Sequence, residues 1–498
     1  MKKAAIIGAG IGGIAAAIRL AVKGYEVTVF EANESFGGKM HEFWLGKFRF
    51  DAGPSLFTLP HLVDELFELA GREPSAYFSH TRLDPITHYF WPDSTRLKAY
   101  AAQGKFAEEA ERQLGVPKQD VLQALSSSAR LYKGTASTFL QKSLHKASTY
   151  FSPDVLKTLT CLPNLGLTTT MHVANARRFK DPRMVQLLDR FATYNGSDPY
   201  QAPGTLNIIP HLEHNIGAFY PKGGIYSIAA SLVKLAQELG VAFKYKEPVE
   251  QIITLGGKVI GVQTGSGSYN ADVVVSNMDV VPTYRRLLPN HTAPEQILKQ
   301  PRSSSALIYY WGIKREFPEL HLHNIFFSGN YKEEFEHIFR HKTISPDPTV
   351  YLNITSKMEP QDAPEGNENW FVMVNVPHDQ GQDWDKLISV TRETVLKKLS
   401  RMLGTDIASL IDQEQVLDPL LIESRTSSFA GALYGSSSNS RMAAFLRHPN
   451  FSSAIDGLYF CGGSVHPGGG IPLCLLSAKI MGDLVPDATR EKKYKTNG

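Results

Sequence analysis

The sequence predicts an α/β protein: a dinucleotide-binding Rossmann domain, discontinuous along the chain, with an inserted α+β domain that contains an antiparallel sheet and a helical region. Residues 2–32 follow the order strand, glycine turn, helix, strand, and residues 455–484 again place a glycine-rich loop between a strand pattern and a helix pattern. Between these ends lie one stretch with helical periodicity and one with alternating aromatic and β-branched residues. A chain of 498 residues is long enough for two or more domains.

The N-terminal pattern carries a dinucleotide fingerprint, because Gly8, Gly10 and Gly13 have the spacing G-x-G-x-x-G. In this fingerprint the first glycine permits a tight turn, the second lets a pyrophosphate approach the backbone, and the third lets helix and strand pack closely. Glu31 ends the second strand, where a carboxylate accepts hydrogen bonds from ribose hydroxyls. The pattern therefore predicts a dinucleotide site.

The same stretch has a second interpretation, because Lys2 and Lys3 precede small and apolar residues as in a secretory signal peptide. Cleavage of such a peptide would remove the glycine fingerprint and leave Glu31 without its partner. We therefore favour the dinucleotide site.

Residues 462–472, GGSVHPGGGIP, contain five glycines and two prolines. A strand pattern precedes this loop and a helix pattern follows it, so the unpaired N–H groups and positive dipole end of the helix face the loop. This arrangement predicts a cradle for a cofactor, with His466 inside it as a candidate proton acceptor. The candidate cofactor contacts in the cradle are Gly462, Gly463, Gly470, Ile471 and Pro472.

Between the two ends, residues 106–194 are mainly helical by periodicity, and residues 303–377 alternate in a manner typical of antiparallel strands before a helix pattern at 384–403. Aromatic side chains of the second stretch either fill a core or, taken as a set, line a long apolar tunnel. The set is Tyr309, Tyr310, Trp311, Phe326, Phe327, Tyr351, Trp370 and Phe371.

Composition excludes several classes of function. The net charge of +3 and the lack of a long basic run argue against nucleic-acid binding, and no zinc-ligand spacing is present, so we predict no metal. No uninterrupted apolar stretch reaches the length of a membrane-spanning helix. The chain has three widely separated cysteines, Cys161, Cys461 and Cys474. Their number and separation argue against a disulfide framework and favour a cytoplasmic location.

Several segments carry a resemblance to known flavoproteins. Gly37, Gly38 and Lys39 resemble the extended dinucleotide motif of the glutathione-reductase-like flavoproteins, which favours FAD over NAD. The segments FDAGPSLFTLP, FYPKGGIYSIAASLVKLAQELGV, VVVSNMD and LYFCGGSVHPGGGIPLCLLSAKI resemble the phytoene desaturase family, also called the bacterial carotenoid desaturases. Within that family, SALIYYWGI, HNIFFS and SSFAGALYGSSSNS resemble the hydroxycarotenoid 3,4-desaturases.

The resemblance implies an FAD domain formed by residues 1–75, 215–285 and 425–498, with Gly53 and Val249 among its cofactor contacts. Residues 76–214 and 286–424 then form a substrate domain that also meets the membrane.

The implied reaction introduces a C–C double bond into an acyclic carotenoid, with oxygen or a membrane quinone as electron acceptor. Tyr310, Phe327 and His323 are candidate substrate contacts, His323 and His321 for a substrate hydroxyl. Because the substrate is a forty-carbon hydrocarbon, we expect a cytoplasmic protein attached peripherally to the membrane. Residues 139–167 and the basic tail 489–498 are candidates for that contact.

Other functions are consistent with the same pattern. A related flavoprotein would desaturate phytoene itself, saturate or isomerise a polyene, or oxidise an amine. In another class, a lipid carrier resembling the GDP-dissociation inhibitors would share the fold without using flavin. The intact cradle at 462–472 argues against such a carrier.

Overall fold

A computed structural model describes residues 1–151, 153–155, 158, 166, 168–439 and 446–488. The strands β1–β19 span Lys3–Ile7, Glu26–Phe30, Glu42–Leu45, Phe48–Asp51, His80–Arg82, Thr87–Phe90, Arg96–Ala99, Phe219–Pro221, Ala242–Lys244, Val249–Leu255, Lys258–Thr264, Gly267–Asn270, Val273–Ser276, Ser305–Ile313, His323–Phe326, Val350–Asn353, Glu368–Val376, Ile411–Leu417 and Leu458–Phe460.

The described helices of four or more residues, α1–α13, span Ile11–Val22, His61–Leu69, Gln103–Leu114, Lys118–Phe139, Ala147–Tyr150, Met171–Arg178, Pro182–Asp189, Tyr226–Glu238, Glu295–Leu298, Tyr331–Glu336, Trp384–Leu403, Pro419–Thr426 and Ile471–Leu484. Short 3-10 and π-helical turns follow α7, among them Arg190–Asn195, Gly204–Ile208 and His211–Ile216.

The first sheet has five parallel strands in the order β19-β13-β1-β2-β9. The central strands β1 and β13 are buried on both faces, which explains their nearly continuous apolar sequences. Ala4 and Ile6 pack against α1, α2, α8 and α13, whereas Ala5 and Ile7 pack towards the antiparallel sheet β10-β11-β12. The result is a three-layer domain, and the α/β class predicted from the sequence is confirmed.

The strands of the parallel sheet come from three separate segments of the chain, and all of them fall within the predicted FAD-domain segments. The strands of the largest sheet fall within the two intervening segments. The domain boundaries themselves stay a prediction.

The largest sheet has seven strands in the order β18-β14-β17-β16-β15-β6-β7. All neighbours are antiparallel except β15 and β6, which are parallel. The sheet is therefore mixed, and its strands β6 and β7 lie before residues 106–194, the stretch that was predicted to be mainly helical. Sequence reasoning missed β6 and β7 because each is only four residues long.

The two faces of this sheet have different roles. Register pairs Trp311 with Trp370, and these side chains point to the same face, where they pack against α11 in a buried core. Tyr309 and Phe326 lie in the same core. For these four aromatic residues the tunnel interpretation was wrong, because strand alternation turns them away from the cavity described below.

Arg49 of β4 joins the two parts of the molecule. Its guanidinium contacts Asp51 at 3.0 Å and Asp362 at 3.2 Å, and its carbonyl oxygen accepts a hydrogen bond from Asn369 of β17. Asp51 in turn accepts hydrogen bonds from the backbone N–H of Ile225 just before α8 and of the next residue. A buried charge pair of this kind is held in place because breaking it leaves an uncompensated charge.

Buried histidines give the folded chain a distinctive response to acid. Burial disfavours the imidazolium form and lowers the pKa of each to about 4, or to about 3 for His323. Below pH 6.5 the unfolded chain takes up protons at these positions and the folded chain does not, so acid favours unfolding. The residues are His88, His214, His323, His378, His448 and His466.

His214 offers a direct test, because neither ring nitrogen has a hydrogen-bond partner among the residues that the structure describes, and the ring stacks on Phe106 at 4.6 Å. We expect His214→Phe to make the free energy of unfolding less dependent on pH by about 1.4 kcal/mol per pH unit between pH 6.5 and 4. Urea unfolding at several pH values measures this slope. Parallel pH profiles for the variant and the unaltered protein would contradict the assignment.

Candidate active site

The two glycine loops predicted from the sequence meet at the carboxyl edge of the parallel sheet, around Asn277. A Cβ atom added to Gly10 would lie 2.7 Å from Asn277 Nδ2, and one added to Gly12 would lie 2.6 Å from Asn277 Oδ1. Gly462 of the second loop would bring a Cβ within 2.7 Å of the same Oδ1, and its φ is +103°. Only glycine therefore permits the two loops to approach this closely.

Gly13 and Gly8 fix the start of α1. A Cβ atom on Gly13 would lie 2.1 Å from the carbonyl oxygen of Gly8, and Gly8 itself has a φ of +94°. The third glycine of the fingerprint thus keeps helix and turn in contact, as predicted. The N-terminal end of α1 faces the cavity through Gly10, Ile11 and Gly12.

Glu31 is buried immediately after the end of β2 and lines the cavity. Its Oε2 accepts a hydrogen bond from the Ala9 N–H at 2.7 Å, and its Oε1 accepts from the backbone and side chain of Asn33. These bonds hold the carboxylate against the glycine loop. Carboxylate oxygens have further lone pairs, which leaves capacity for a ribose hydroxyl.

Gly37, Gly38 and Lys39 lie beside the first loop, because the Gly37 N–H donates to the Ala9 carbonyl oxygen. A Cβ on Gly53 would lie only 1.8 Å from the Lys39 carbonyl oxygen, so these segments also require glycine to pass each other. The Lys39 ammonium donates to the Leu433 carbonyl oxygen at 2.7 Å, and burial lowers its pKa. A partly buried lysine therefore faces the cavity.

The C-terminal loop continues this wall into α13. Gly470, with a φ of +98°, precedes the helix, and Ile471 and Pro472 form its first turn. Gly463 lies against Gly469, where a Cβ would be 3.3 Å from the neighbouring Cα. All of the predicted cradle residues line the cavity, as does Val249.

His466 also lines the cavity. Its Nε2 lies 2.9 Å from the Lys142 carbonyl oxygen, which can only accept, so Nε2 carries the hydrogen and Nδ1 the lone pair. Burial lowers the pKa of His466 to about 4, and the ring is neutral at physiological pH.

A single cavity of about 1740 Å³ extends from the glycine loops to the seven-stranded sheet. One face of that sheet forms its floor, through Thr87, Ala306, Ile308, His323, Ile325, Tyr351, Phe371, Met373, Asn375, Gln415 and Leu417. Helix α4 and the turns after α7 cover it with mainly apolar side chains, including Leu131, Phe139, Leu140, Leu144, Leu206, Ile209 and Leu212.

Of the candidate substrate contacts, the structure places His323 on the cavity floor and the other two outside it. The Tyr310 hydroxyl donates to the Ala52 carbonyl oxygen at 2.6 Å, and its ring packs among Phe43, Phe50 and Phe371. The ring of Phe327 stacks on Trp91 and Tyr89 in the core beneath the helices. His321 is not among the lining residues either.

Sequence reasoning missed two side chains that line the cavity beside the glycine loops. Asn277 follows β13 as its first polar residue after Ser276, and this position after a buried strand was the available signal. Arg447 is buried beside the cradle, where its Nη1 donates to the Tyr434 carbonyl oxygen and burial lowers its pKa to about 10. No local pattern singles out this arginine.

The comparison with protein families agrees with this geometry. The family described as flavin containing amine oxidoreductase matches residues 11–482. The chain belongs to this family. Membership makes the protein a flavin-dependent oxidoreductase, as predicted.

Relatives within the family include carotenoid enzymes. The chain is 53% identical over 487 residues to a 1-hydroxycarotenoid 3,4-desaturase of Flavobacterium sp. (strain P99-3), covering 98% of this chain and 99% of the relative. It is 34% identical to a 4,4'-diapolycopene oxygenase of Methylomonas sp., covering 97% and 98%. The resemblance predicted from the sequence segments is confirmed.

Solved structures agree on the fold. The chain superposes on an oxidoreductase from Methanosarcina mazei with a TM-score of 0.63, at 15% identity, over 96% of this chain and 98% of the other. At this identity the likeness shows a shared fold.

The close approach at Gly53 gives a test of the flavin site. We expect Gly53→Ala to displace the Lys39 segment and weaken flavin binding about tenfold to a hundredfold, because overpacking costs roughly 1–3 kcal/mol. The ratio of flavin to protein absorbance after purification measures the loss. Gly104→Ala is the matched control, since its Cβ meets nothing within 4 Å. Full flavin content in Gly53→Ala would contradict the site.

Proposed function

We propose that the protein is an FAD-dependent carotenoid desaturase that introduces the 3,4 double bond of an acyclic 1-hydroxycarotenoid. The observation that carries this proposal is the single cavity, which joins the glycine-loop cradle to a mainly apolar chamber on one face of the sheet. The substrate class is supported by the names of the relatives, above all the one with 53% identity.

The residues at the cradle fit FAD. We assign Glu31 to a ribose, the first glycine loop and the start of α1 to the pyrophosphate, and the wall formed by Gly53, Gly463 and the start of α13 to the isoalloxazine. Bound flavin supplies a two-electron acceptor for the hydride that leaves one carbon while a proton leaves its neighbour.

The apolar walls position the substrate and exclude water. Ile308, Phe371 and Met373 stand on the cavity floor, opposite the α4 side chains Leu131 and Phe139. A polyene held between these surfaces keeps the bond to be oxidised against the cofactor wall, and conjugation spreads the positive charge that develops.

His466 is our candidate for receiving the proton. Its Nδ1 has the lone pair, because Nε2 donates to the Lys142 carbonyl oxygen. The low pKa keeps the ring in the accepting form at neutral pH.

We further propose that the protein is cytoplasmic and attaches peripherally to a membrane. The membrane would supply the carotenoid substrate and a quinone as electron acceptor, with oxygen as the alternative acceptor. Tyr150 and Phe151 support this contact, because they are 54% and 88% exposed and follow Lys146 by four and five residues in the chain. They follow Leu140 and Leu144 of the cavity wall in the chain. Lys157, Cys161 and the tail 489–498 lie outside the described residues. Among the described helices, none has the length and apolar composition of a membrane span.

The proposed reaction is tested anaerobically with FAD-loaded protein in liposomes, offering a 1-hydroxycarotenoid and phytoene separately. We expect the hydroxylated substrate to bleach the flavin and to yield a product whose absorption is shifted to the red. Conversion of phytoene instead would replace the proposed substrate. Failure of both substrates to reduce bound flavin would contradict the carotenoid proposal. Amines or other lipids would then be the next candidate substrates.

The role of His466 is tested by His466→Leu. We expect flavin reduction by the carotenoid to slow by about a hundredfold or more, because general-base catalysis contributes at least that much. The unaltered enzyme should show a constant rate from pH 6 to 8 and a decline below about pH 5, as His466 becomes protonated. His145→Leu is the control, since its ring lies 6.1 Å from that of His466 and does not line the cavity. An equal effect of both substitutions would rule out the base.

A further inference from the structure

A group of buried and half-buried polar side chains interrupts the otherwise apolar part of the cavity. We call it the polar cluster and define it as Arg190, Tyr194, Glu213, His323 and Tyr351. Four of these line the cavity, and Glu213 lies directly behind them without exposure to solvent. A hydrocarbon gains nothing from such groups, and burying them has a cost in free energy.

The charges within the polar cluster cancel. Arg190 contacts Glu213 at 3.3 Å and donates to the Tyr89 hydroxyl at 2.8 Å, and Tyr194 donates to Glu213. Because the carboxylate is already paired, the cluster offers no free charge to a cationic or anionic ligand. It suits a neutral group that forms hydrogen bonds.

His323 provides the unused hydrogen-bonding atom. Its Nδ1 lies 3.1 Å from Asn353 Nδ2, an amide nitrogen that also donates to the Leu322 carbonyl oxygen. Since an amide nitrogen only donates, Nδ1 of the neutral ring accepts and the hydrogen is on Nε2. His323 Nε2 is buried and has no partner among the described residues. It is therefore an unpaired donor.

An unpaired nitrogen alone does not identify a site, because His88 on the neighbouring strand β6 also has a buried Nε2 without a partner in the described part of the chain. The register pairs His88 with Asn324, so His88 points to the sheet face opposite His323. His88 does not line the cavity. His323 differs because it stands on the cavity floor within the polar cluster.

The polar cluster is also connected to the cofactor wall. Tyr351 hydroxyl lies 2.7 Å from His323 Nδ1 and 2.7 Å from Ser55 Oγ. Ser55 comes two residues after Gly53, at the proposed isoalloxazine wall, and also lines the cavity. A ligand group at His323 is thus near the place where the bond is oxidised.

We propose that the polar cluster is the subsite for the hydroxyl group of the substrate, and that His323 Nε2–H donates a hydrogen bond to the hydroxyl oxygen. This inference rests on the proposed function and names the residue that selects hydroxylated over unhydroxylated carotenoids. The Ser55–Tyr351 pair and Asn353 hold the His323 ring in the donating orientation.

A buried donor that stays unpaired penalises the ligand that lacks an oxygen. We expect the protein to bind a 1-hydroxycarotenoid about tenfold to a hundredfold more tightly than the same carotenoid without the hydroxyl. In His323→Leu that preference should fall to about one, because the hydroxylated ligand loses its hydrogen-bond donor and the other ligand no longer leaves a donor unpaired. His323→Gln, which keeps an N–H donor, should restore part of it.

Binding is measured with FAD-loaded protein in detergent micelles, reduced with dithionite so that no turnover occurs, by quenching of tryptophan fluorescence. His88→Leu is the matched control, since it removes a buried histidine from the opposite face of the same sheet and should keep the full preference. Equal affinities of the unaltered protein for both carotenoids would overturn the subsite, and this comparison does not depend on the folding of any variant. An undiminished preference in folded His323→Leu would overturn it as well.

A parallel turnover assay separates this inference from the proposed function. A preference in binding that depends on His323, without desaturation of either carotenoid, would keep the hydroxyl subsite and overturn the desaturase. Desaturation of both carotenoids with equal affinity would keep the desaturase and overturn the subsite.

Discussion

The close approach of two backbone loops at Asn277 is the constraint on which the rest of the molecule depends. The Gly8 N–H donates to the Phe30 carbonyl, the Asn277 N–H to that of Ile7, and the Cys461 N–H to that of Ser276. These bonds tie together the carboxyl ends of neighbouring parallel strands. Because parallel strands end at the same edge, segments more than 400 residues apart in sequence form one wall.

The seven-stranded sheet explains how one fold contains both a tightly packed core and a large cavity. Strand alternation sends Trp311 and Trp370 to the face that packs on α11, where they stabilise the sheet. The opposite face carries Ile308, Phe371 and Met373, which border the cavity. The sheet can therefore leave one face partly uncovered, because its other face is fully packed.

Buried charge pairs hold the cavity and the packed core of the sheet in fixed positions. Arg49 connects β4 to the sheet and, through Asp51, to the start of α8, whereas Arg190 and Glu213 neutralise each other beneath the cavity roof. Both pairs are expensive to break because each would leave a buried charge behind. The position of the polar cluster relative to the cofactor wall is fixed by these contacts.

The sequence by itself determined the parts whose chemistry is local. The fingerprint at Gly8, Gly10 and Gly13, the acid at Glu31, the cradle before α13 and the helix at 384–403 all follow from spacing, because turns, caps and periodicity act over a few residues. The family followed from the same segments.

Tertiary structure alone decided which side chains share the cavity. In the sequence, Tyr310 and Phe327 are aromatic residues of strand patterns, just as Tyr351 and Phe371 are. Only Tyr351 and Phe371 line the cavity, because strand register sets the face to which each ring points and neighbouring helices cover some of the rings. Asn277, Arg447 and the partners of His323 come from distant parts of the chain. Their proximity depends on pairing across strands, which no local pattern in the sequence specifies.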